Sequence, residues 1–154
     1  MRVPPDDVVK AAQDAQRATG VPASVSIGQW ALESAWGARC TGRFNFFGVK
    51  AVGDQPHSLC WTHEVVGGKS VSVQQPFRDY ASLDEAFSEH ARLLTRPRYS
   101  AALAALAANF SLHDYVASIA PVYATDPHYA DNLFNLIAVD GFARFDLPNL
   151  GKPA

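Results

Sequence analysis

Residues 21–37 read VPASVSIGQWALESAWG, and this stretch decides how the rest of the chain is read. Pro22 permits a helix start and Ser24 can cap it. Val25, Gly28, Leu32, Ala35 and Trp36 recur at helical spacing on one stripe, and Gly37 supplies a stop. One carboxylate, Glu33, sits in this apolar segment. Gln29 and Trp30 lie one helical turn before it, Trp36 and Gly37 one turn after. A carboxyl beside indole rings loses hydration, which raises its pKa and lets it keep a proton near neutral pH. Gly37 removes side-chain bulk, so a ligand can approach. The pattern suits a general acid. It also suits a solvated glutamate at a helix end.

On the N-terminal side, residues 5–19 form a helix with Val8, Ala11, Ala12 and Ala15 on one face and Gly20 as its end. Residues 38–58 lack helical period and read as a long loop. In CWTHEVVGGKSVSV (60–73), two β-branched and aromatic runs flank Gly-Gly, a hairpin signal, and Gln75-Pro76 ends the hairpin. SLDEAFSEHARLL (82–94) opens with a capping box, Ser82 and Glu85, and lines Leu83, Ala86, Phe87, His90, Ala91 and Leu94 on one face. Three more helices follow: the Ala-rich 99–110, the Ser-capped 111–120, and 125–141. The last has Thr125 or Asp126 as cap, Pro127 in its first turn and Gly141 as stop. Residues 145–154 read as an irregular tail. The expected architecture is α+β, mostly helical: one domain over residues 1–154, with a small β-hairpin lobe beside a cleft.

Composition narrows the function classes. The chain has 154 residues, 48% of them hydrophobic and 18% charged, enough to bury a core without staples. Its net charge of −2 and lack of a basic block speak against nucleic acid or a membrane surface as partner. No run of ~18 apolar residues could span a bilayer. The first residues have no apolar core or small-residue cleavage site, so no signal peptide is expected. Cys40 and Cys60 are too few for a disulfide scaffold, and a bond between them is left open.

Glycoside hydrolysis generally uses two carboxylates flanking the scissile bond. Asp54, Asp79, Asp84, Glu85 and Glu89 sit where solvation or capping explains them. Glu64 does not, because strands mildly disfavour glutamate. It shares a strand face with Thr62 and Val66, while Trp61, His63 and Val65 point the other way. A surface strand charge is the plainer reading of the same residue. Histidines are scattered, and Cys60-x-x-His63 alone is a weak metal signal. His90 lies on an apolar stripe, as hydrogen-bonded core histidines do. Trp30, Phe87, Tyr115 and Phe134 read as core; Trp36, Phe47, Trp61 and Tyr123 lie beside the candidate site.

Five blocks occur in order: VPASVSIGQWALESAWG, FNFFGVKA, CWTHEV, FRDYASLDEAFSEHARLL and VYATDPHYADNLFNLI. Together, from Val21 to Ile137, they resemble the glucosaminidase domains of glycoside hydrolase family 73. The resemblance implies a lysozyme-like fold and cleavage of β-1,4 bonds in peptidoglycan after N-acetylglucosamine. It implies Glu33 as the acid, Glu64 as the second acidic residue, and Tyr123 close to the reacting sugar. Asn45, Phe47 and Gly48 fall on the family's Asn-x-Phe-Gly block beside the cleft, and Trp36, Trp61 and Tyr129 are further substrate-facing candidates. Phe44 stands where the family often has asparagine, which alters a subsite. The wording of residues 60–69 and 80–94 is most similar to phage and prophage members. The expected protein is thus an endolysin-like monomer acting on glycan strands. It would need no cofactor or metal, make no stable membrane insertion, and stay cytoplasmic until released to the wall. The alternatives are a lytic transglycosylase or muramidase using the same acid, or an inactive wall-binding module.

Overall fold

The computed structural model describes residues 1–108 and 111–148. Helix α1 (Asp6–Thr19) carries Asp6 and Asp7 in its first turn, where negative charge is favourable, and ends at Gly20 with φ 81°. Its buried face is the expected one: Val8, Ala11, Ala12 and Ala15. Helix α2 (Ala23–Ser34) is buried on nearly every side from Ala23 to Ala31, and only Leu32 and Glu33 in its last turn reach the surface. The expected stripe therefore holds at Val25 and Gly28 and fails at Leu32 and Ala35, which are exposed.

Two long strands, β1 (His57–Val66) and β2 (Lys69–Arg78), form an antiparallel hairpin. The turn is Gly67-Gly68, at φ 57° and 79°, values that favour glycine and suit a tight two-residue turn. Pro76 does not end the hairpin as expected. It pairs with Leu59, and its carbonyl faces the other edge, accepting from Ala51 N–H at 2.9 Å. A strand residue's N and O point to the same edge, so the missing proline N–H costs no bond to β1.

The second helical part comprises α3 (Leu83–Leu93), α4 (Pro97–Ala107), α5 (Leu112–Tyr123) and α6 (Tyr129–Val139), then a 3-10 turn, Phe142–Phe145, that ends at the first residue of the tail expected to be irregular. Half of the capping box closes as read, Ser82 Oγ accepting from Glu85 N–H; the Glu85 carboxylate reaches one residue further back and accepts from Ala81 N–H. Ser111 likewise caps α5. That helix runs on through Pro121 to Tyr123, because Ala124 N–H still reaches Ala120 O at 2.9 Å. Helix α6 begins later than expected. Asp126 builds a turn instead, its Oδ1 accepting from His128 N–H and its carbonyl from Tyr129 N–H. Asn109 and Phe110 of the Ala-rich segment, and tail residues 149–154, lie outside the described residues.

Helix α2 is the hub. It packs on α1, α6 and the 3-10 turn, α1 packs on α3, and α5 lies between α4 and α6. Gly28 sets the α2–α6 spacing: a Cβ there would stand 2.7 Å from Leu133 Cδ1 and 3.1 Å from Ile137 Cγ1. Gly28→Val should destabilise the fold by about 2 kcal/mol. Urea unfolding checks this; an unchanged midpoint would show that α6 yields freely.

Ser24, expected as a helix cap, lies inside the first turn of α2. Its N–H and hydroxyl both donate to the Asp146 carboxylate at 2.7 Å, so the cap is supplied from the far end of the chain. Among the described residues no helix is long and apolar enough to cross a membrane.

Candidate active site

Glu33 sits in the last turn of α2, where the buried helix surfaces. Its Oε1 accepts two hydrogen bonds, from the hydroxyls of Tyr123 (2.8 Å) and Tyr129 (2.9 Å). These tyrosines are the last residue of α5 and the first of α6, so the short turn between the two helices aims both at one oxygen. Oε2 has no protein partner among the described residues. Burial pushes the Glu33 pKa up from 4.5 to about 7, against the downward pull of the two tyrosine hydrogen bonds. The group is thus poised to exchange a proton near neutral pH.

Glu33 borders a cleft with Arg39, Cys40, Thr41, Phe46, Phe47 and Gly48. Phe47 is almost fully buried and stacks flat on His90, with ring centroids 3.8 Å apart. Gly48 has φ 62° and open space beside it. Glu64 lies on the half-buried face of β1 with Ser58, Cys60 and Thr62, and accepts from Lys50 Nζ at 2.9 Å. It belongs to the hairpin and is not among the residues lining the Glu33 cleft.

A sequence model of the glucosaminidase family, described as mannosyl-glycoprotein endo-beta-N-acetylglucosaminidase, matches residues 9–140. The chain belongs to the glucosaminidase family. It is the family the ordered sequence blocks led us to expect, and a family of glycoside hydrolases.

The chain is 42% identical over 138 residues to the peptidoglycan hydrolase FlgJ of Escherichia coli (strain K12), covering 82% of this chain and 42% of that protein. It is 32% identical over 150 residues to a probable N-acetylmuramidase of Lactococcus lactis subsp. cremoris (strain MG1363), covering 92% of this chain and 34% of that protein. The chain therefore spans less than half the length of either relative. The glycoside hydrolase domain of Salmonella typhimurium FlgJ superposes with a TM-score of 0.70 at 35% identity, covering 86% of this chain and 91% of that one. The six helices and hairpin thus form the expected mostly helical, lysozyme-like α+β fold.

Within this glucosaminidase domain, several residues stand elsewhere than their spacing suggested. Helix α2 stops at Ser34, and Ala35, Trp36 and Gly37 take φ of 51°, 62° and 79°. Trp36 is therefore not one helical turn beyond Glu33. It packs edge-on against Trp30 and Phe142, under the Arg2 guanidinium at 4.3 Å, and does not line the cleft. Gly37 makes room for protein and not for ligand: a Cβ there would lie 2.9 Å from Trp30 Cζ2.

Asn45 is fully buried. Its amide donates to Val49 O and Arg78 O, and its Oδ1 accepts from Val49 N–H, so both donors are spent on the backbone. Trp61 is 70% exposed on the β1 face opposite Glu64. Tyr129 is a carboxylate partner, almost fully buried, and not an open aromatic platform. Both cysteines are free thiols, Cys40 donating to Gly42 O. Arg39, Thr41 and Phe46, which line the cleft, were not picked out in the sequence, and Cys40 was picked out only for its thiol. Their signal was adjacency: three lie in the loop after α2, and Phe46 lies inside the Asn-x-Phe-Gly block.

Proposed function

We propose that this domain hydrolyses β-1,4 glycosidic bonds of peptidoglycan glycan strands, as a monomer, cutting after N-acetylglucosamine with Glu33 as general acid. The observation that carries the reading is the Glu33 carboxyl: partly buried at the cleft, held through Oε1 by two tyrosines, with Oε2 free and a pKa raised to about 7. A proton on Oε2 can pass to the glycosidic oxygen as the bond to the leaving sugar breaks. Tyr123 and Tyr129 then stabilise the carboxylate that remains.

Glu64 is the partner carboxylate in this reading. It activates the water that attacks the sugar, from a hairpin braced by its ion pair with Lys50. Glu64→Gln should lower kcat about 10²–10⁴-fold with Glu33 untouched. A loss under about 3-fold would instead favour attack by the sugar's own N-acetyl group, with no protein base.

The 32% identity to a probable N-acetylmuramidase supports a second reading, cleavage after N-acetylmuramic acid with the same acid. Mass spectrometry of digested wall separates the two. New reducing N-acetylglucosamine ends are expected. Reducing N-acetylmuramic acid ends, or 1,6-anhydro products of a transglycosylase, would overturn the assigned bond. We place the domain in phage or prophage lysis on the wording of residues 60–69 and 80–94. The relatives described above share the wall chemistry and not that setting.

A further inference from the structure

A buried polar path runs from the middle of the core to the Glu33 carboxyl. His90 Nε2 on α3 lies 2.8 Å from Gln29 Oε1 on α2. Gln29 Nε2 donates to Tyr129 Oη at 3.1 Å, and Tyr129 donates to Glu33 Oε1 at 2.9 Å. Gln29 and His90 are 0% and 1% exposed, so neither can trade these bonds for water.

Proton counting fixes the direction of every bond. Burial drives the His90 pKa down to about 3, so its ring is neutral and carries one N–H. Among the described residues Nδ1 has no partner, whereas Nε2 faces the Gln29 side-chain amide. A buried N–H without an acceptor is costly, which puts the proton on Nε2. His90 then donates to Gln29 Oε1, and the Gln29 amide must turn its NH2 to Tyr129. The Tyr129 oxygen accepts, leaving its single proton nowhere to go but Glu33 Oε1. Tyr123 donates to the same oxygen. The opposite tautomer would flip the amide, make Gln29 the acceptor for Tyr129, and take that donor from Glu33.

We propose that Gln29 and His90 are positioning residues: through the Tyr129 hydroxyl they keep Glu33 Oε1 occupied by donors and confine the acidic proton to Oε2. This rests on Glu33 being the general acid. Neither residue touches substrate. They decide which carboxyl oxygen delivers the proton, and the packing of α2, α3 and α6 holds that choice in place before substrate arrives. The flat stack of Phe47 on His90 ties the same ring to the cleft wall.

The titratable groups around Glu33 leave its signal readable. Tyr123 and Tyr129 face it from α5 and α6, with Tyr99 of α4 behind them. Arg39 and Cys40 face it across the cleft, and the Lys50–Glu64 pair stands on the hairpin. Burial and the Glu33 charge hold both tyrosines above their ordinary range, and burial raises the Cys40 thiol.

Nitrogen NMR of the intact protein at neutral pH should show a neutral His90 ring protonated on Nε2; an Nδ1-protonated ring would overturn the proposal. Gln29→Met keeps the shape and removes the donor to Tyr129. With a weaker donor on Oε1 the carboxylate is less stabilised, so the Glu33 titration, followed by carboxyl carbon NMR, should move up by roughly 0.5 pH unit or more. The alkaline limb of kcat should move with it, with kcat down about 10-fold and KM within about 2-fold. An unmoved titration would overturn the proposal. His90→Gln, which keeps a donor toward Gln29, should retain the parent titration, and His90→Leu should behave like Gln29→Met; identical titrations in His90→Gln and His90→Leu would also count against the proposal. Failure of the acid reading shows separately, as retained hydrolysis in Glu33→Gln, because tautomer and titration are measured without turnover.

Discussion

Glu33→Gln should remove hydrolysis and, above neutral pH, make the fold more resistant to heat. The first effect follows from the proposed acid role. The substituted amide still offers its oxygen to Tyr123 and Tyr129, but the atom replacing Oε2 carries no acidic proton, so a loss of about 10²–10⁴-fold is expected. The second follows from linkage. The Glu33 pKa is raised in the fold from 4.5 to about 7, so folding favours its neutral form. Below pH 4.5 the group is neutral whether the chain is folded or not, and its contribution is fully present. That contribution is lost as pH rises through 7, because the unfolded chain ionises first. Well above pH 7 the folded protein holds a partly buried charge at a cost of up to about 3 kcal/mol. The glutamine variant has no charge to hold. Melting temperatures of parent and variant should coincide near pH 4 and separate by up to about 6–12 °C at pH 8, with the variant higher. Full retention of activity would exclude Glu33 as the acid. Lost activity with coincident melting at pH 8 would show that burial does not strain this carboxyl.

What the sequence made legible was local. The α1 face, the Ser82–Glu85 box and the Gly-Gly turn each depend on residues within a few positions of one another, where propensity and periodicity act. Glu33 was legible because it is a charge inside an apolar helix. The end of that helix was not. Ala35 and Trp36 look like ordinary helix residues, yet both adopt left-handed backbone. Ser34 Oγ bridges Trp30 O and Gly37 N–H, and the Trp30 indole fills the space beside Gly37. A conformation unfavourable to non-glycine residues is imposed by tertiary packing that no short window contains. The α2 cap is hidden in the same way, its acceptor Asp146 lying 122 residues from Ser24. The Gln29–His90 contact spans 61 positions. It did leave a trace: each is a polar residue on a face that otherwise reads as core, and such residues need each other when both are buried.

Asn45→Ala should unfold the cleft wall and not merely weaken sugar binding. The family resemblance implied Asn45, Phe47 and Gly48 as residues beside the cleft, but the Asn45 amide is turned inward. It bonds both ends of residue 49 and the Arg78 carbonyl, clamping the loop to β2 beside the Lys50–Phe77 bridge. Removing it deletes three hydrogen bonds at a site with no water access, at about 1 kcal/mol each, and leaves the Val49 N–H without its acceptor. A loss of about 3 kcal/mol, or roughly 6–12 °C in melting temperature, is expected. Activity should fall as well, because Phe47 and Gly48 are carried by the clamped loop and the Phe47 ring rests on His90. The two roles separate cleanly by measurement. A sugar contact would give unchanged melting, raised KM and near-parental kcat. A clamp gives lower melting, a fall in kcat as well as a rise in KM, and partial recovery of activity on cooling as the loop re-forms. Parental melting in the alanine variant would rule out the clamp and return Asn45 to the substrate.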